Sequence, residues 1–293
     1  MHIRIGTRGS DLALWQANHV KSQLEKNGNT VSITIIKTQG DKIQDLSFDK
    51  LEGKGFFTKE IESALIEKEV DLAVHSHKDL ETAPPQGLLI AAVSEREDPA
   101  ELLLINKNQV TSNLDWELKE GASIGTSSAR RKSLVKAHRP DLEIRELRGN
   151  VPTRIQKLRD GDYDAILLAK AGVSRLNIDL TEFHVVELNP KIVVPAPAQG
   201  VLALQIREYE TELFEEIQKL NNPWVQQQIA IERKVLNLME GGCQLPLGVY
   251  CDSENVYVSY TNQWETGSKY FVFSFSDTEK LAHEIVSFLK SNE

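Results

Sequence analysis

The sequence predicts a mixed α/β fold class: two α/β units of similar make-up, followed by a smaller α+β domain. Three observations carry this. Short β-branched runs alternate with amphipathic helical stretches over the first two thirds of the chain. The strand-to-helix turn IGTRGSDLAL at residues 5–14 returns in kind as IGTSSARR at 124–131, although no strict repeat is visible. Beyond residue 247 the pattern changes to aromatic, alternating strands closed by one amphipathic helix.

Taken in order, HIRIGT (2–7) reads as a strand and DLALWQANHVKSQLEKNG (11–28) as a helix with Gly28 where it should stop. VSITIIKT (31–38) is the next strand, giving βαβ logic. The helix FFTKEIESALIEKE (56–69) leads to the strands DLAVHS (71–76) and GLLIAAV (87–93), consistent with a parallel or mixed sheet covered by helices. After SEREDPAELLLI (94–105) a second unit of the same character runs through GASIGTSSARRKSLVKAHRPD, LEIRELRG, VPTRIQKLRDGDYDAILLAKAGVSRL and HVVEL. VVPAPAQGVLALQIRE (193–208) reads as a return crossing and a strand, and PWVQQQIAIERKVLNLME (223–240) has helical spacing. The strands GVYCD, NVYVSYTN and KYFVFSFS and the helix DTEKLAHEIVSFLK complete the chain. The expected boundaries are 1–97 with 197–214 for the first domain, 98–196 for the second and 215–293 for the third.

Composition narrows the functional classes. At 293 residues each domain can bury its own core. Two cysteines, Cys243 and Cys251, do not make a disulfide framework, which fits reduced thiols and a cytoplasmic location. The opening MHIRIGTRGS lacks the basic and long apolar segments of a signal peptide, and no apolar run suits a membrane span. A net charge of -9 argues against nucleic-acid binding by overall charge while leaving room for a local cationic cleft.

Arg8, Arg130, Arg131, Arg148, Arg154 and Arg175 fall on turns or helices that leave strand ends. In open α/β folds that is where ligands bind, and guanidinium groups there hold carboxylate or phosphate bidentately. For any single arginine a solvated surface charge is an equal reading; the set points to an anion site. In AVHSHKDLETAPP, the strand places Ala73, His75 and His77 on one face, with Lys78 and Asp79 where the strand ends. No further Cys or His stands at ligand spacing, so hydrogen-bonded histidines are expected rather than a metal pair. Asp79 is either half of a surface ion pair with Lys78 or the carboxylate available for proton transfer. In GKGFFTKE, Lys54 lies between Gly53 and Gly55 and Lys59 follows; the stretch lacks P-loop spacing, so ATP binding is not supported. In LMEGGCQLPLG, the thiol of Cys243 could be filler, metal ligand, disulfide partner or attachment point.

The ordered set RIGTRGSDLALWQA, GKGFFTKEIE, DLAVHSHKDL, EREDP, IGTSSARR, LRGNVPTR, YDAILLAKAG and EGGCQLPLG resembles the porphobilinogen deaminase (hydroxymethylbilane synthase) family from end to end. The resemblance implies two periplasmic-binding-protein-like (type II) α/β domains around a cleft and a third α+β domain. It implies a dipyrromethane cofactor joined by a thioether to Cys243, and four condensations of porphobilinogen with loss of ammonia, ended by hydrolytic release of the linear tetrapyrrole. Asp79 takes the catalytic position. Ser10, Lys78, Thr126, Ser127, Arg130, Arg131 and Arg148 match the cofactor-holding set. Arg8, Arg148, Arg154, Arg175 and Gln199 match the substrate-binding set. Lys54 and Lys59 belong to the flexible loop and the helix after it. A monomer, no metal, and hand-over of product to uroporphyrinogen-III synthase are the family expectations.

The chain departs from the usual family pattern at Asp11, His77, Ala129 and the PAPAQG segment; none removes a charged residue given a role. A two-lobed anion-binding protein without catalysis is the main rival reading, and an enzyme using Cys243 as nucleophile is the second. A simple receptor needs neither Asp79 nor an exposed thiol, and no histidine is placed by sequence to activate that thiol.

Overall fold

The computed structural model describes residues 1–38, 58–242, 244–276 and 278–292. Their contacts divide into two units. One holds 1–38, 58–97 and 198–228; the other holds the described parts of 98–197 and 229–293.

In the first unit, strand β1 (His2–Thr7) runs into helix α1 (Asp11–Lys26) and then β2 (Thr30–Ile35). Ser10 caps α1, its hydroxyl accepting from the Ala13 N–H at 3.4 Å, which satisfies one of the orphan donors of the first turn. Helix α2 (Lys59–Ile66) precedes β3 (Leu72–Ser76) and β4 (Leu88–Val93), and β10 (Leu202–Arg207) enters from far along the chain. The sheet order is β2-β1-β3-β10-β4, with β1 parallel to β2 and β3 and β10 antiparallel to both its neighbours. Its core joins Ile3, Ile5, Leu72, Val74, Leu202 and Leu204 of the strands to Ala17, Val20 and Leu24 of α1.

Helix α6 (Thr211–Gln218) packs Leu213 and Ile217 into the same core. Residues 209–222 carry no expected element, and the expected boundary of the first domain falls after 214. The spacing 213, 217, 220 seats this segment on the first sheet, so the first unit continues to Gln228.

The second unit repeats the scheme. Strands β6 (Ser123–Gly125), β7 (Glu143–Arg145), β8 (Ala165–Ala169) and β9 (His184–Leu188) combine with β5 (Glu101–Ile105) in the order β7-β6-β8-β5-β9. Here β5 is the antiparallel insert, paired to β8 and β9. Both sheets thus read second, first, third, insert, fourth, the type II periplasmic-binding-protein-like order. Every residue of β5 is buried: Leu103 and Ile105 face Leu134 and Val135 of α3 (Ala129–His138), while Leu102 and Leu104 face Ile155 and Leu158 of α4 (Val151–Arg159). Helices on both faces account for the unbroken apolar run. Helix α5 (Lys170–Leu176) follows β8 directly.

Helix α7 (Pro223–Leu238) leads to the antiparallel sheet β11 (Leu247–Cys251), β12 (Asn255–Tyr260) and β13 (Lys269–Ser274), and α8 (Thr278–Ser291) follows. Val249, Cys251, Val256 and Val258 share a core with Leu281, Ile285 and Leu289. Cys251 is buried there. At the end of α7 the left-handed residue is Glu240 (φ 53°) rather than a glycine, and the Gly241 N–H reaches back to the Leu236 carbonyl at 3.1 Å. Gly241 is needed for a different reason: a Cβ there would stand 2.6 Å from Leu245 Cδ2. Cys243 itself lies outside the described residues.

Candidate functional site

In the first sheet β1 and β3 are parallel, so their carboxyl ends deliver Arg8, Ser10, Lys78 and Asp79 to one end of the sheet. The insert β10 runs the other way, Leu202 lying opposite Ser76, so the segment entering it brings Gln199 to that end as well. Strand β3 stops at Ser76, and His77–Asp79 form a 3₁₀ turn instead of the continued strand that would put His77 beside His75. The turn is held by the His77 N–H donating to the Val201 carbonyl at 2.9 Å.

Asp79 is exposed, and Lys78 is half-buried with Nζ donating to Gln199 Oε1 at 3.2 Å. Gln199 is 1% exposed, and its carbonyl accepts from Arg96 Nε at 3.0 Å. Ala198 (φ 60°) and Gly200 (φ 89°) make this bend possible, and a Cβ on Gly200 would collide with the Glu97 carbonyl. Beneath the turn, Gln16 Nε2 donates to Ser76 Oγ at 2.9 Å. His75 Nε2 donates to Gln205 Oε1 at 3.0 Å, and Gln205 Nε2 donates to Glu62 Oε1 at 3.1 Å. Burial pulls the His75 imidazole down to about 4, so it is neutral near pH 7. Burial likewise raises Glu62, against the hydrogen bond from Gln205. Arg8 is half-buried beyond β1, and Lys59 is exposed at the start of α2. Lys54 lies outside the described residues.

The corresponding end of the second sheet is built from β6, β7 and β8, with Glu101 opening the antiparallel insert opposite Ala169. Ser128 caps α3, accepting from the Arg131 N–H at 3.4 Å. Arg130 and Arg131, 5% and 7% exposed, both reach Glu101, which is 0% exposed. Arg130 Nη2 stands 2.5 Å from Oε1 and Arg131 Nη2 2.7 Å from Oε2. Their Nη1 atoms donate to the Val194 and Leu167 carbonyls at 2.9 and 3.1 Å. Burial lowers the pKa of Arg130, and the Glu101 charge opposes it.

Lys132 hydrogen-bonds Glu146, whose other oxygen is 3.7 Å from Arg148 Nη2. Burial would raise Glu146, but the hydrogen bond and charge of Lys132 outweigh it and its pKa is lowered. Within this set each carboxylate is shared by two cations. Ser127 Oγ donates to the Leu147 carbonyl at 2.9 Å and accepts from its N–H at 3.0 Å, while Thr126 is buried with its N–H on Arg145. Arg154 Nε donates to the Gly149 carbonyl at 2.7 Å, and Arg175 is buried in α5. A cavity of about 280 Å³ in this unit is lined by Ala129, Gln244, Pro246 and residues 262–265.

The described residues among those predicted therefore fall into two sets, one per unit. Among them Ser10 caps a helix, and Ser127, Arg130 and Arg131 are engaged within the protein. Glu101, Glu62, Gln205, Gln16 and Ser128 were not singled out from sequence. For Glu101 a signal exists: an acid opening an apolar strand covered on both faces requires a cation partner. Among the described residues no cluster of His, Cys, Asp or Glu is arranged to hold a metal, and no helix is long and apolar enough to cross a membrane.

Cations gathered at the carboxyl ends of parallel strands in a doubly built α/β protein are an arrangement suited to carboxylated or phosphorylated ligands. Comparison makes the class particular. The family model described as "Porphobilinogen deaminase, dipyromethane cofactor binding domain" matches residues 3–215. The porphobilinogen deaminase of Oceanobacillus iheyensis is 44% identical over 264 residues, 88% of this chain and 83% of that protein. That of Syntrophomonas wolfei is 46% identical over 248 residues, 84% and 79% of the two. Among solved structures, the VFT2 domain of Bordetella pertussis BvgS aligns over 75% of this chain and 86% of that one at 14% identity, with a TM-score of 0.45. The chain belongs to the porphobilinogen deaminase family.

Proposed function

We propose that the protein is a hydroxymethylbilane synthase, a transferase of tetrapyrrole synthesis that condenses four porphobilinogen molecules onto a dipyrromethane primer and releases the linear product by hydrolysis. Membership of the family is the ground for the reaction, and the arginine-rich end of the second sheet is the observation that carries it. The primer, made from two porphobilinogen units, bears several carboxylate arms, and the residues present fit it. Among the described residues Arg131 Nε is buried without a hydrogen-bond partner, a donor suited to an incoming anion. Arg130, Arg131, Arg148, Thr126 and Ser127 would hold it.

When bound, the dipyrromethane supplies the free pyrrole carbon on which the chain grows. The protein's own tasks are to bind substrate carboxylates and to manage charge and protons. Arg8, Arg148, Arg154, Arg175 and Gln199 are assigned to the carboxylates of substrate and growing chain. In each round the aminomethyl C–N bond of porphobilinogen breaks, ammonia leaves, a C–C bond forms and the attacking pyrrole α-carbon loses its proton. The Asp79 carboxylate stabilises the transient cation and carries that proton. Lys78, tethered to Gln199, keeps a positive charge beside Asp79. Lys59, the first residue of α2, and Lys54 are read as further cations for the incoming substrate.

The C-terminal sheet with α8, having a core of its own, is read as a third domain that carries Cys243. Cys243 would hold the primer there through the thioether that the family resemblance implies. A cytoplasmic monomer that passes its product to uroporphyrinogen-III synthase completes the reading.

Intact mass tests it. The purified protein should carry a two-pyrrole adduct, and Cys243→Ser should carry none and show no turnover. A wild-type protein that neither carries the adduct nor gains it on incubation with porphobilinogen would overturn the function.

A further inference from the structure

We infer that Glu101 is a positioning residue for primer loading: it holds Arg130 and Arg131 in the orientation that receives a carboxylate. The inference rests on the function proposed above and extends it to a residue outside the sequence-derived set. One oxygen of Glu101 serves each arginine, at 2.5 and 2.7 Å, and a backbone carbonyl holds each guanidinium from a second direction. Both side chains are thereby fixed at two points before any ligand arrives. Such preorganisation spares the ligand the entropy of ordering two long side chains.

The place of Glu101 in the chain supports the same role. It opens β5, the antiparallel insert, so it meets the carboxyl end of β8, and its partners lie in the first turn of α3. A helix amino terminus favours anions. The Arg131 Nε donor, buried there without a hydrogen-bond partner among the described residues, supplies an independent sign of a ligand position. Without Glu101 the two guanidiniums would repel each other and reorient, and the seat would have to form during loading.

The test uses full-length protein made in cells unable to synthesise porphobilinogen. The chain is then given porphobilinogen, and adduct is followed by intact mass while the folded fraction is followed by circular dichroism. Glu101→Gln, assayed well below its own melting midpoint, is expected to load at least tenfold more slowly than wild type. Glu101→Asp, which retains the charge, is expected to load within threefold of wild type. Asp141→Asn removes the carboxylate partner of Arg139 at the opposite end of α3. It is expected to lower the midpoint and load normally, as a purely structural pair would.

A folded Glu101→Gln protein that loads at the wild-type rate overturns the inference. So does a chain that folds only with a carboxylate at 101, because Glu101 would then be a folding residue. Failure of the wild type to load would instead reject the proposed function.

Discussion

The ends of the two five-stranded sheets share a strand order and a serine-capped helix, yet the segment entering each inserted strand finishes them differently. In the first, Gln199 brings a neutral amide to Lys78 and leaves Asp79 exposed. In the second, Glu101 brings a carboxylate to two buried arginines. An amide orients an ammonium without discharging it, and an exposed carboxylate keeps its exchange with water. A guanidinium does not release its proton at any working pH, so the second end can hold anions but cannot shuttle protons. On the proposed function, one topology separates turnover from holding through a single side chain at the mouth of each insert.

The sharpest way to break this comparison is Asp79→Asn. An amide of the same shape carries neither the proton nor the charge, so turnover should fall by about 10²–10⁴-fold while the mass adduct remains. Steady-state assay beside intact mass reads both. Loss of the adduct with turnover per loaded chain unchanged would assign holding to the first end and invert the contrast.

Most of the architecture was legible because it depends on local pattern. Gly28 takes φ 86° just beyond α1, and the turns after β1 and β6 both end in a capping serine. What escaped depends on partners distant in sequence. His75 finds Gln205 130 residues away, and Glu101 finds its arginines about 30 residues on, so neither pairing leaves a spacing to read. Helix α6 was missed because Glu210 offers no side-chain cap, leaving only its apolar spacing as a signal. Proximity to a turn marked Arg130 and Arg131 as ligand groups, but it could not show that they are also bound to Glu101.

A smaller effect comes from the neutral histidine under the first end. His75 has a folded pKa of about 4 against an ordinary 6.5. Between those values the unfolded chain takes up a proton that the folded one refuses, so stability falls as pH drops from about 6.5 to about 4, by up to about 3 kcal/mol. Glu62, raised by burial, acts in the opposite sense, and the lowered His138 of the second unit in the same sense. Comparison with His75→Gln isolates the term: urea unfolding of the variant should be less pH-dependent across that window. An unchanged slope would show that His75 gains its proton without loss of fold.

The smallest effect sharpens the comparison most closely, because it places one substitution at equivalent positions. Ser10 and Ser128 each cap the helix after the first parallel strand of their sheet, each accepting from the third helical N–H at 3.4 Å. Replacing either by alanine removes one hydrogen bond to a helix terminus and should cost about 1 kcal/mol in urea unfolding. The donor differs, however. At Ser10 it is Ala13, whereas at Ser128 it is Arg131, whose side chain sits on Glu101. Ser128→Ala should therefore slow primer loading several-fold as well as cost stability, while Ser10→Ala should cost stability with little change in loading. Equal loading in the two variants would mean that the arginine seat is held by Glu101 and the carbonyls alone. A loading defect in Ser10→Ala would restore Ser10 to the holding set that the family resemblance implies, since a cap on α1 has no structural route to Arg130 and Arg131 within its own unit.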